Sequence, residues 1–572
     1  MRRRTRLLHA VFAVFVLAGT ASAQVFDRPA DERPPLEDFE PEEPPGPPLR
    51  LPPAPPVPPQ RPPVRTGLEV FVREVRVVGS TVYAPEELAL LTQPWTNREL
   101  DASEIRDLVD TVTRKYVEDG YVSSGAFLPD QDLDGGVLLV QVVEAVLADV
   151  VAQGNRWYRT SFLRRRLQAA VPAPVDMNTL QEQIQLLLQE RGIRHIGGAL
   201  QPGARPGENV LALAVEERIP IGAEASVAND SPPGVGSVQG QLDLADYSLF
   251  GLGDVLRARF ELSEGLVSEE VHYDLPFTAR GTTLELRFRN ANSKIVESPF
   301  DAADIEADTW TAGIGLRVPL IRTPRMQLWA GVRGEHRRST TYLSEERESF
   351  IPGPIDGVVE INVIRFFSDW SWRSRSDALS ARSTVSWGIG RVDVGKLDIS
   401  ATENPSGIPD SRYAAWLGQI QWAHRFPEWA LGTTLLARTD LQVANDPLLT
   451  LEQIAVGGLG TVRGYRENLL VRDQGVIASL ELRIPLLRPF SGGELAGFRL
   501  ALAPFADFGY AWNVKHTPPV KTLASLGVGL RCSWRDRIDG YAYWGGRLRS
   551  VPRSGSNIQE DGFHLGISVR AF

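Results

Sequence analysis

Two short motifs late in the chain contain residues that can form a strong ion pair. Val462-Arg463-Gly464-Tyr465 follows a glycine-rich stretch, and Phe505-x-Asp507-x-Gly509 comes later. Arginine offers five N–H donors in a planar fork, and a carboxylate is its natural bidentate acceptor. Glycine lets the backbone fold sharply, so the loop that carries Arg463 can bend back on itself. The spacing alone also allows Arg463 to be a solvated loop residue and Asp507 to be one charge among many.

Residues suited to catalysis or metal binding are sparse. The seven histidines are scattered without an H-E-x-x-H motif, and the single Cys532 excludes an internal disulfide, a Cys-based zinc site and an iron–sulfur cluster. A phosphate-loop-like stretch ends in Gly395-Lys396, but Leu397 replaces the required Ser or Thr. The sequence therefore predicts no enzyme activity, no metal site and no cofactor.

Length and charge limit the class of protein further. A chain of 572 residues predicts several domains or one very large domain. It carries 61 Lys and Arg against 71 Asp and Glu, a net charge of −10. Because nucleic-acid contacts depend on an excess of Lys and Arg, this balance argues against a nucleic-acid partner.

The N-terminus predicts export. Arginines at positions 2–4 and 6 precede an apolar run, and Ala21-Ser22-Ala23 ends it, so residues 1–23 form a signal peptide. A membrane anchor needs about 20 apolar residues, and this run is shorter. No later run reaches 18 consecutive apolar residues, which leaves a water-soluble protein or a β-barrel. Residues 24–67 are proline-rich, and we expect a semi-rigid linker in polyproline II conformation.

Residues 68–145 and 146–217 are expected to be two copies of a β-α-α-β-β unit. In the first copy we expect strands over 71–78, 121–128 and 137–144, with helices beginning at Pro85 and near Asp101. The second copy repeats this order, with turn glycines at Gly154 and Gly192. A basic run, Arg164-Arg165-Arg166, lies on its first helix and is compatible with a solvated surface.

From residue 218 to residue 572 the hydrophobic period changes to two. Leu256, Ala258 and Phe260 alternate with charged residues, and several later runs behave in the same way. Long alternating strands with charges on one face are typical of a transmembrane β-barrel, and the length fits about 16 strands. Most of the 13 Trp and 12 Tyr lie in this region, as interface girdles require. A soluble β-sandwich is the alternative. The predicted fold class is mainly β, a transmembrane antiparallel barrel after two α/β units.

At this point the chain resembles the two-partner secretion transporters, the TpsB family within the outer-membrane assembly superfamily. Tyr116-x-x-x-Gly120-Tyr121-Val122 and the stretch 128–133 resemble its first POTRA domain. Gly251-x-Gly253-Asp254 resembles a turn before an early barrel strand. Val462–Tyr465 and Phe505–Gly509 match the superfamily's loop and strand motifs.

The resemblance implies an outer-membrane barrel with two POTRA domains in the periplasm. It implies that Arg463 meets Asp507 and clamps the loop inside the barrel. The POTRA domains would bind an unfolded TpsA-like client, an adhesin, a haemolysin or similar, at exposed strand edges. Arg164, Arg165 and Arg166 are candidate client contacts. Export would need no nucleotide hydrolysis, and the other expected partners are outer-membrane lipid and the barrel-assembly machinery.

Two features depart from the family pattern. Residues 24–67 contain too much proline for the long N-terminal plug helix that relatives often carry. The last alternating strand, 563–571, is out of phase with the terminal Phe572.

Two rival functions are an insertase of the same superfamily, whose members usually carry three or more POTRA domains, and a general porin.

Overall fold

The computed structural model describes residues 69–132, 135–350, 356–390, 409, 411–487, 497–535, 537–552 and 557–571. The predicted signal peptide, the proline-rich linker and Phe572 lie outside these residues. Two small α/β units precede a closed antiparallel β-barrel. The predicted fold class is therefore confirmed.

The first unit packs two helices on one face of a small sheet. Its elements are β1 (Val70–Val72), β2 (Glu74–Val78), α1 (Pro85–Thr92), β3 (Arg98–Leu100), α2 (Ala102–Glu118), β4 (Gly125–Phe127) and β5 (Val137–Val143). The sheet order is β2-β5-β4, and β1 pairs with β3. Asp101 and Glu104 form a capping box at the start of α2, whose Leu108, Val112 and Tyr116 enter the core.

Two strand predictions in the first unit were wrong in extent. The strand expected over 71–78 is interrupted at Arg73, since β1 leaves the main sheet to pair with β3. The strand expected over 121–128 is limited to Gly125–Phe127. Tyr121 to Ser124 instead form a turn, in which the Ser124 N–H donates to the Tyr121 carbonyl at 3.0 Å.

The second unit repeats the order of the first. Its elements are β6 (Val146–Gln153), α3 (Thr160–Ala170), α4 (Met177–Leu188), β7 (Ile193–Pro202) and β8 (Glu208–Glu217). The sheet order is β6-β8-β7, with β6 and β8 parallel. In both units, therefore, the first main strand runs parallel to the last one, and an edge strand completes the sheet.

A glutamate at the end of each unit's last strand holds the turn that leads into the first helix. Glu144 accepts the backbone N–H groups of Thr81 and Val82 at 2.7 and 3.1 Å. Glu217 accepts those of Arg156, Trp157 and Tyr158 at 2.6–3.1 Å. The two units thus share this glutamate-to-turn hydrogen bonding as well as their order of elements.

Sixteen long strands close the barrel within the described residues. They are β9 (Ile221–Ala228), β10 (Gln239–Asp246), β11 (Val255–Leu262), β12 (Leu266–Pro276), β13 (Thr283–Lys294), β14 (Ile305–Arg322), β15 (Met326–Leu343), β17 (Val358–Arg373), β18 (Asp377–Ile389), β19 (Arg412–Arg425), β20 (Thr434–Ala444), β23 (Gln474–Leu487), β24 (Phe498–Trp512), β25 (Thr522–Trp534), β26 (Ile538–Arg547) and β27 (Phe563–Arg570). A two-residue strand, β16 (Glu346–Arg347), extends one loop. β27 pairs with β9 and completes the ring.

The two faces of the barrel wall differ in polarity. Large apolar side chains such as Leu242, Phe260 and Val271 are exposed on the outside, while charged residues between them face the lumen. Exposed tryptophans lie near both ends of neighbouring strands, Trp372 and Trp422 at one end and Trp387 and Trp416 at the other. This arrangement suits a lipid-facing surface with two aromatic girdles. Within the described ranges, no helix is long and apolar enough to cross a membrane.

The second unit sits against one end of the barrel, which we call the near end. The Arg159 N–H donates to the Gly251 carbonyl at 2.9 Å, in the turn between β10 and β11. A Cβ on Gly253 would lie 2.8 Å from the Phe162 ring, so glycine is needed for this close approach. Gln189 also donates to the Pro324 carbonyl at the turn between β14 and β15.

The connection between β20 and β23 folds into the lumen from the far end. We call residues 445–473 the inward hairpin; they contain β21 (Ile454–Val456) and β22 (Leu470–Arg472), which pair with each other. One group of its apolar side chains packs on the wall at β23–β25. A second group, Leu448, Leu449 and Leu451, packs on β17 and β19. The hairpin therefore reaches across part of the lumen.

The pH dependence of the first unit should follow Glu144. Partial burial opposes its charge, but hydrogen bonds from Thr81, Tyr116 and Val82 outweigh burial and lower its pKa. This stabilisation is present above the ordinary glutamate pKa and is lost as the pH falls through the lowered value. We expect Glu144→Gln to reduce local stability by about 1 kcal/mol at neutral pH. We also expect it to remove the part of the pH dependence of amide protection at Thr81 and Val82 that follows the titration of Glu144.

The exposed Glu118 offers a matched control for this prediction. Glu118→Gln should leave the exchange of both amides unchanged, after correction for intrinsic rates. Equal exchange in wild type and Glu144→Gln at every pH would contradict the proposed role of Glu144.

Candidate functional site

The structure places Arg463, at the tip of the inward hairpin, against Asp507 on β24. The Nε atom donates to Asp507 Oδ2 at 2.8 Å and the Nη2 atom donates to Oδ1 at 2.9 Å. The backbone N–H of Arg463 also donates to Oδ2, at 3.0 Å. Because side chain and backbone both bind one carboxylate, Asp507 fixes the position of the loop and the direction of the guanidinium.

A second carboxylate and a hydroxyl on β23 complete the polar cage. Arg463 Nη1 forms an ion pair with Glu481, and Nη2 donates to Ser479 Oγ at 3.1 Å. Ser479 in turn donates to Asp507 Oδ1 at 2.6 Å. The side chains of Arg463 and Asp507 are 4% and 0% exposed. A single buried cation thus links the hairpin to two neighbouring strands.

Aromatic rings cover the guanidinium. The Arg463 Cζ lies 3.8 Å from the ring centre of Phe505 and 4.9 Å from that of Tyr543 on β26. The Tyr543 hydroxyl donates to Glu481 at 3.1 Å. Such stacking stabilises a desolvated cation and excludes water from the cage. Phe505 therefore contributes to the same site as Asp507, two residues along the same face of the strand.

Glycines allow the hairpin to lie directly on the wall. A Cβ at Gly509 would overlap Val456 and come within 2.9 Å of Val462. Gly464 has a φ of +89°, and a Cβ there would lie 2.7 Å from the carbonyl oxygen of Gly545 on β26. Each of the two motifs thus contains a glycine where hairpin and wall come too close for a side chain: Gly464 lies against the backbone of Gly545, and Gly509 lies against the side chains of Val456 and Val462.

Tyr465 and Gly464 of the loop motif also form hydrogen bonds with the barrel wall. Tyr465 is buried, and its hydroxyl lies 2.9 Å from the Ala524 carbonyl on β25 and 2.8 Å from that of Arg549. The Gly464 N–H donates to His564 Nε2 on β27 at 3.2 Å. The loop tip therefore contacts every strand from β23 to β27.

A second group of buried charges holds the base of the inward hairpin. Glu452 accepts from Arg337 Nη1 at 2.9 Å and from both Nη atoms of Arg365 at 2.8 and 3.0 Å. The chain of alternating charges continues along the wall through Glu335, Arg333 and Glu285. The hairpin is therefore fastened to β15 and β17 as well as to β23 and β24.

The arrangement is suited to holding a loop. All three side-chain nitrogens of Arg463 and both carboxylate oxygens of Asp507 are engaged in hydrogen bonds or ion pairs within the protein. Among the described residues, no cluster of His, Cys, Asp and Glu could hold a metal ion.

The three arginines of the basic run on α3 lie in different environments. Arg164 pairs with Asp149 at 2.8 Å on the surface, and Arg165 is exposed. Arg166 lies at the junction with the barrel, 3.5 Å from Glu190, which also pairs with Arg322 at 3.4 Å. Burial, reinforced by Arg322, lowers the pKa of Arg166 to about 10. Arg164 and Arg165 are open to solvent, whereas Arg166 joins the second unit to the barrel.

Sequence reasoning missed Glu481, Ser479, Tyr543 and Glu452. A signal existed for the first two, because Ser479, Glu481 and Arg483 alternate with Leu480 and Leu482 and so face the lumen. The alternation gives the face of a residue but not its partner across the barrel.

Comparison with known proteins gives the family. The model of the haemolysin secretion/activation proteins ShlB/FhaC/HecB matches residues 207–532, more than half of the chain. This protein belongs to the ShlB/FhaC/HecB family. The ShlB-type POTRA domain matches residues 70–145. Family membership confirms the resemblance to two-partner secretion transporters and places the barrel in the bacterial outer membrane, with the POTRA-type units on the periplasmic side.

Individual relatives share a low sequence identity with this protein. It is 28% identical to the outer membrane transporter CdiB of Escherichia coli O6:K15:H31 (strain 536 / UPEC) over 433 residues, 71% of this chain and 67% of that protein. It is 28% identical to CdiB of Dickeya dadantii (strain 3937) over 214 residues, 36% of this chain and 37% of that protein, little more than a third of its length. The solved structure of CdiB from Escherichia coli has a TM-score of 0.64 at 19% identity and covers 91% of this chain and 93% of that one, which supports the fold.

The close approach at Gly509 predicts the effect of adding one methyl group. We expect Gly509→Ala to displace Val462 and thereby separate Arg463 from Asp507. The hairpin should then become sensitive to trypsin added from the cell-surface side, since it contains Arg463, Arg466 and Arg472. Limited proteolysis of the membrane-inserted protein measures this.

Gly334 on β15 is a suitable control, because a Cβ there would meet no atom within 4 Å. Gly334→Ala should be cut as slowly as wild type. Equal resistance of Gly509→Ala would show that the hairpin does not depend on this contact.

Proposed function

We propose that this protein exports one unfolded partner protein, a TpsA-like client, through its barrel to the cell surface. The observation that carries the proposal is the inward hairpin, held in the lumen by Arg463 behind two POTRA-type units. Family membership supports the class of function, and the client's identity is left to experiment. Transport of this kind requires a conduit and no catalytic step.

The two units offer edges for client capture in the periplasm. β4 is an edge strand of the first sheet, and the adjoining Phe127 and Leu128 are exposed. β6 is an edge strand of the second sheet and exposes Val146 and Val151. An extended client can add a strand at such an edge, with apolar side chains beside it for contact. We propose Arg164 and Arg165 as additional contacts for acidic segments.

Two features support an exporter over an insertase or a porin. The described chain has two POTRA-type units before the barrel, and the first matches the ShlB type. A general porin also gives no reason for a hairpin that is fixed on both sides of its lumen. We propose lipid and the barrel-assembly machinery as the partners of the barrel during its insertion.

In this proposal, the cage around Arg463 keeps the barrel in its transport-competent form. Removing one partner of a buried ion pair costs about 3–5 kcal/mol, because the other charge remains desolvated. In Arg463→Ala, Asp507 would lose its cation and Glu481 would keep only its pair with Arg483, so the hairpin should leave its seat. The sixteen-stranded wall does not need the cage to close and should remain inserted.

We therefore expect Arg463→Ala and Asp507→Asn to reduce export strongly while the protein stays in the outer membrane. Arg463→Lys should also fail, since lysine cannot bind Asp507 through two nitrogens and Glu481 through a third. Export is measured as the amount of the partner in the medium, the partner being the secreted protein that disappears when the transporter is deleted.

Arg338→Ala is the control, because Arg338 lies on β15 with an exposed side chain. It should export normally. Normal export by an inserted Arg463→Ala protein would remove the cage from the mechanism, while normal secretion of all proteins after deletion of the transporter would contradict the exporter function itself.

A further inference from the structure

The charged residues that face the lumen differ greatly in their access to water. On β11 the side chains of Arg257 and Arg259 are 49% and 47% exposed. On β15, four strands further along the ring of sixteen, those of Arg333 and Arg337 are 4% and 3% exposed. Because the neighbouring apolar residues face lipid, the exposed charges on β11 can be open only to water inside the barrel.

The gradient follows the strand order. Arg259 pairs with Asp243 on β10 at 2.7 Å, and Arg257 pairs with Asp274 on β12 at 3.0 Å, all four partly open. Exposure is lower where Arg289 on β13 pairs with Glu261 at the far end of β11, with side chains 17% and 14% exposed. On β15, β17, β23 and β24 the ion pairs that involve the inward hairpin are buried.

The open sector continues through the closing seam of the barrel. Arg570 on β27 pairs with Glu224 on β9 at 2.9 Å, and both side chains are about one third exposed. Ser226 and Ser568 face each other in the same lumenal register. Partly exposed lumenal ion pairs therefore lie on β27 and β9–β12, which are adjacent in the ring.

The far end of this sector is covered by loops. The loop between β9 and β10 accepts hydrogen bonds from two neighbouring loops. The Gly265 N–H, between β11 and β12, donates to the Val235 carbonyl at 2.8 Å, and the Val296 N–H, between β13 and β14, donates to the Gly234 carbonyl at 2.9 Å. Gln559, in the last loop, donates to the carbonyls of Asn229 and Ser231. These loops lie above the open strands and restrict the exit.

The inward hairpin fastens this cover. Arg466 binds both oxygens of Glu297, in the loop between β13 and β14, and lies 3.6 Å from Glu560 in the last loop. The backbone N–H of the next residue, Glu467, donates to Gln559 Oε1 at 3.0 Å. Two adjacent hairpin residues therefore hold loops from both sides of the open sector.

From these contacts we propose that the exported chain passes along β27 and β9–β12, beside the inward hairpin and not through the space it fills. The proposal rests on the export function proposed above. The ligand is an extended polypeptide, whose charged side chains and backbone can exchange with the solvated Arg–Asp pairs of this wall. At rest the path is open to the periplasm and narrowed at the cell surface by the cover that Arg466 fastens.

Cysteine accessibility in planar bilayers tests the path without the client. In a Cys532→Ser background, we compare Ser226→Cys, in the open sector, with Ser525→Cys, which is buried on the lumenal face beside Asp507. Trimethylammonioethyl methanethiosulfonate added from the periplasmic side should cause a lasting loss of conductance in Ser226→Cys and none in Ser525→Cys. Ser568→Cys gives an independent reading of the open sector if Ser226→Cys does not insert.

The cover is tested by adding the reagent from the cell-surface side. Ser226→Cys should then react slowly, and the additional change Arg466→Ala should make it react as fast as from the periplasm. Loss of conductance in Ser525→Cys, none in either open-sector variant, or equal reaction from both sides without Arg466→Ala would overturn the proposal. A channel that shows the expected pattern but exports no partner would contradict the export function alone.

Discussion

The buried guanidinium of Arg463 is the interaction on which the lumenal structure depends. It joins the hairpin tip to Asp507 and Glu481 on two adjacent strands and is covered by two aromatic rings. A cation removed from water in this way is stable only while its anionic partners stay in place. The position of the hairpin and the shape of the remaining lumen therefore follow from one side chain and the glycines that let it approach.

Close contacts also fix both ends of the barrel. At the periplasmic end, Gly251 and Gly253 let the second unit contact the barrel, and Arg166, Glu190 and Arg322 join them electrostatically. At the cell-surface end, Arg466 ties the hairpin to neighbouring loops, three residues beyond Arg463. In the proposed function, a client captured at the POTRA-type units would thus meet a fixed entrance, an open wall and a narrowed exit in sequence.

The sequence predicted the barrel and the two motifs well, because alternation and short motifs are local signals. The period of two identified the lumenal face of Asp507, and the repeated order of elements identified two units. Contacts between distant strands were beyond its reach: alternation cannot tell that Glu481 and Tyr543 share a partner, or that Glu452 lies between Arg337 and Arg365. The strand expected over 121–128 failed because a local turn competes with pairing.

The central claim is that Arg463 keeps the hairpin seated. Hydrogen exchange of the membrane-inserted protein, compared between wild type and Arg463→Ala, tests it most directly. The account predicts that the amides of β21 and β22 are protected in wild type and exchange rapidly in the variant, while those of β23 and β24 stay protected in both. Unchanged protection of β21 and β22 in the variant would contradict it.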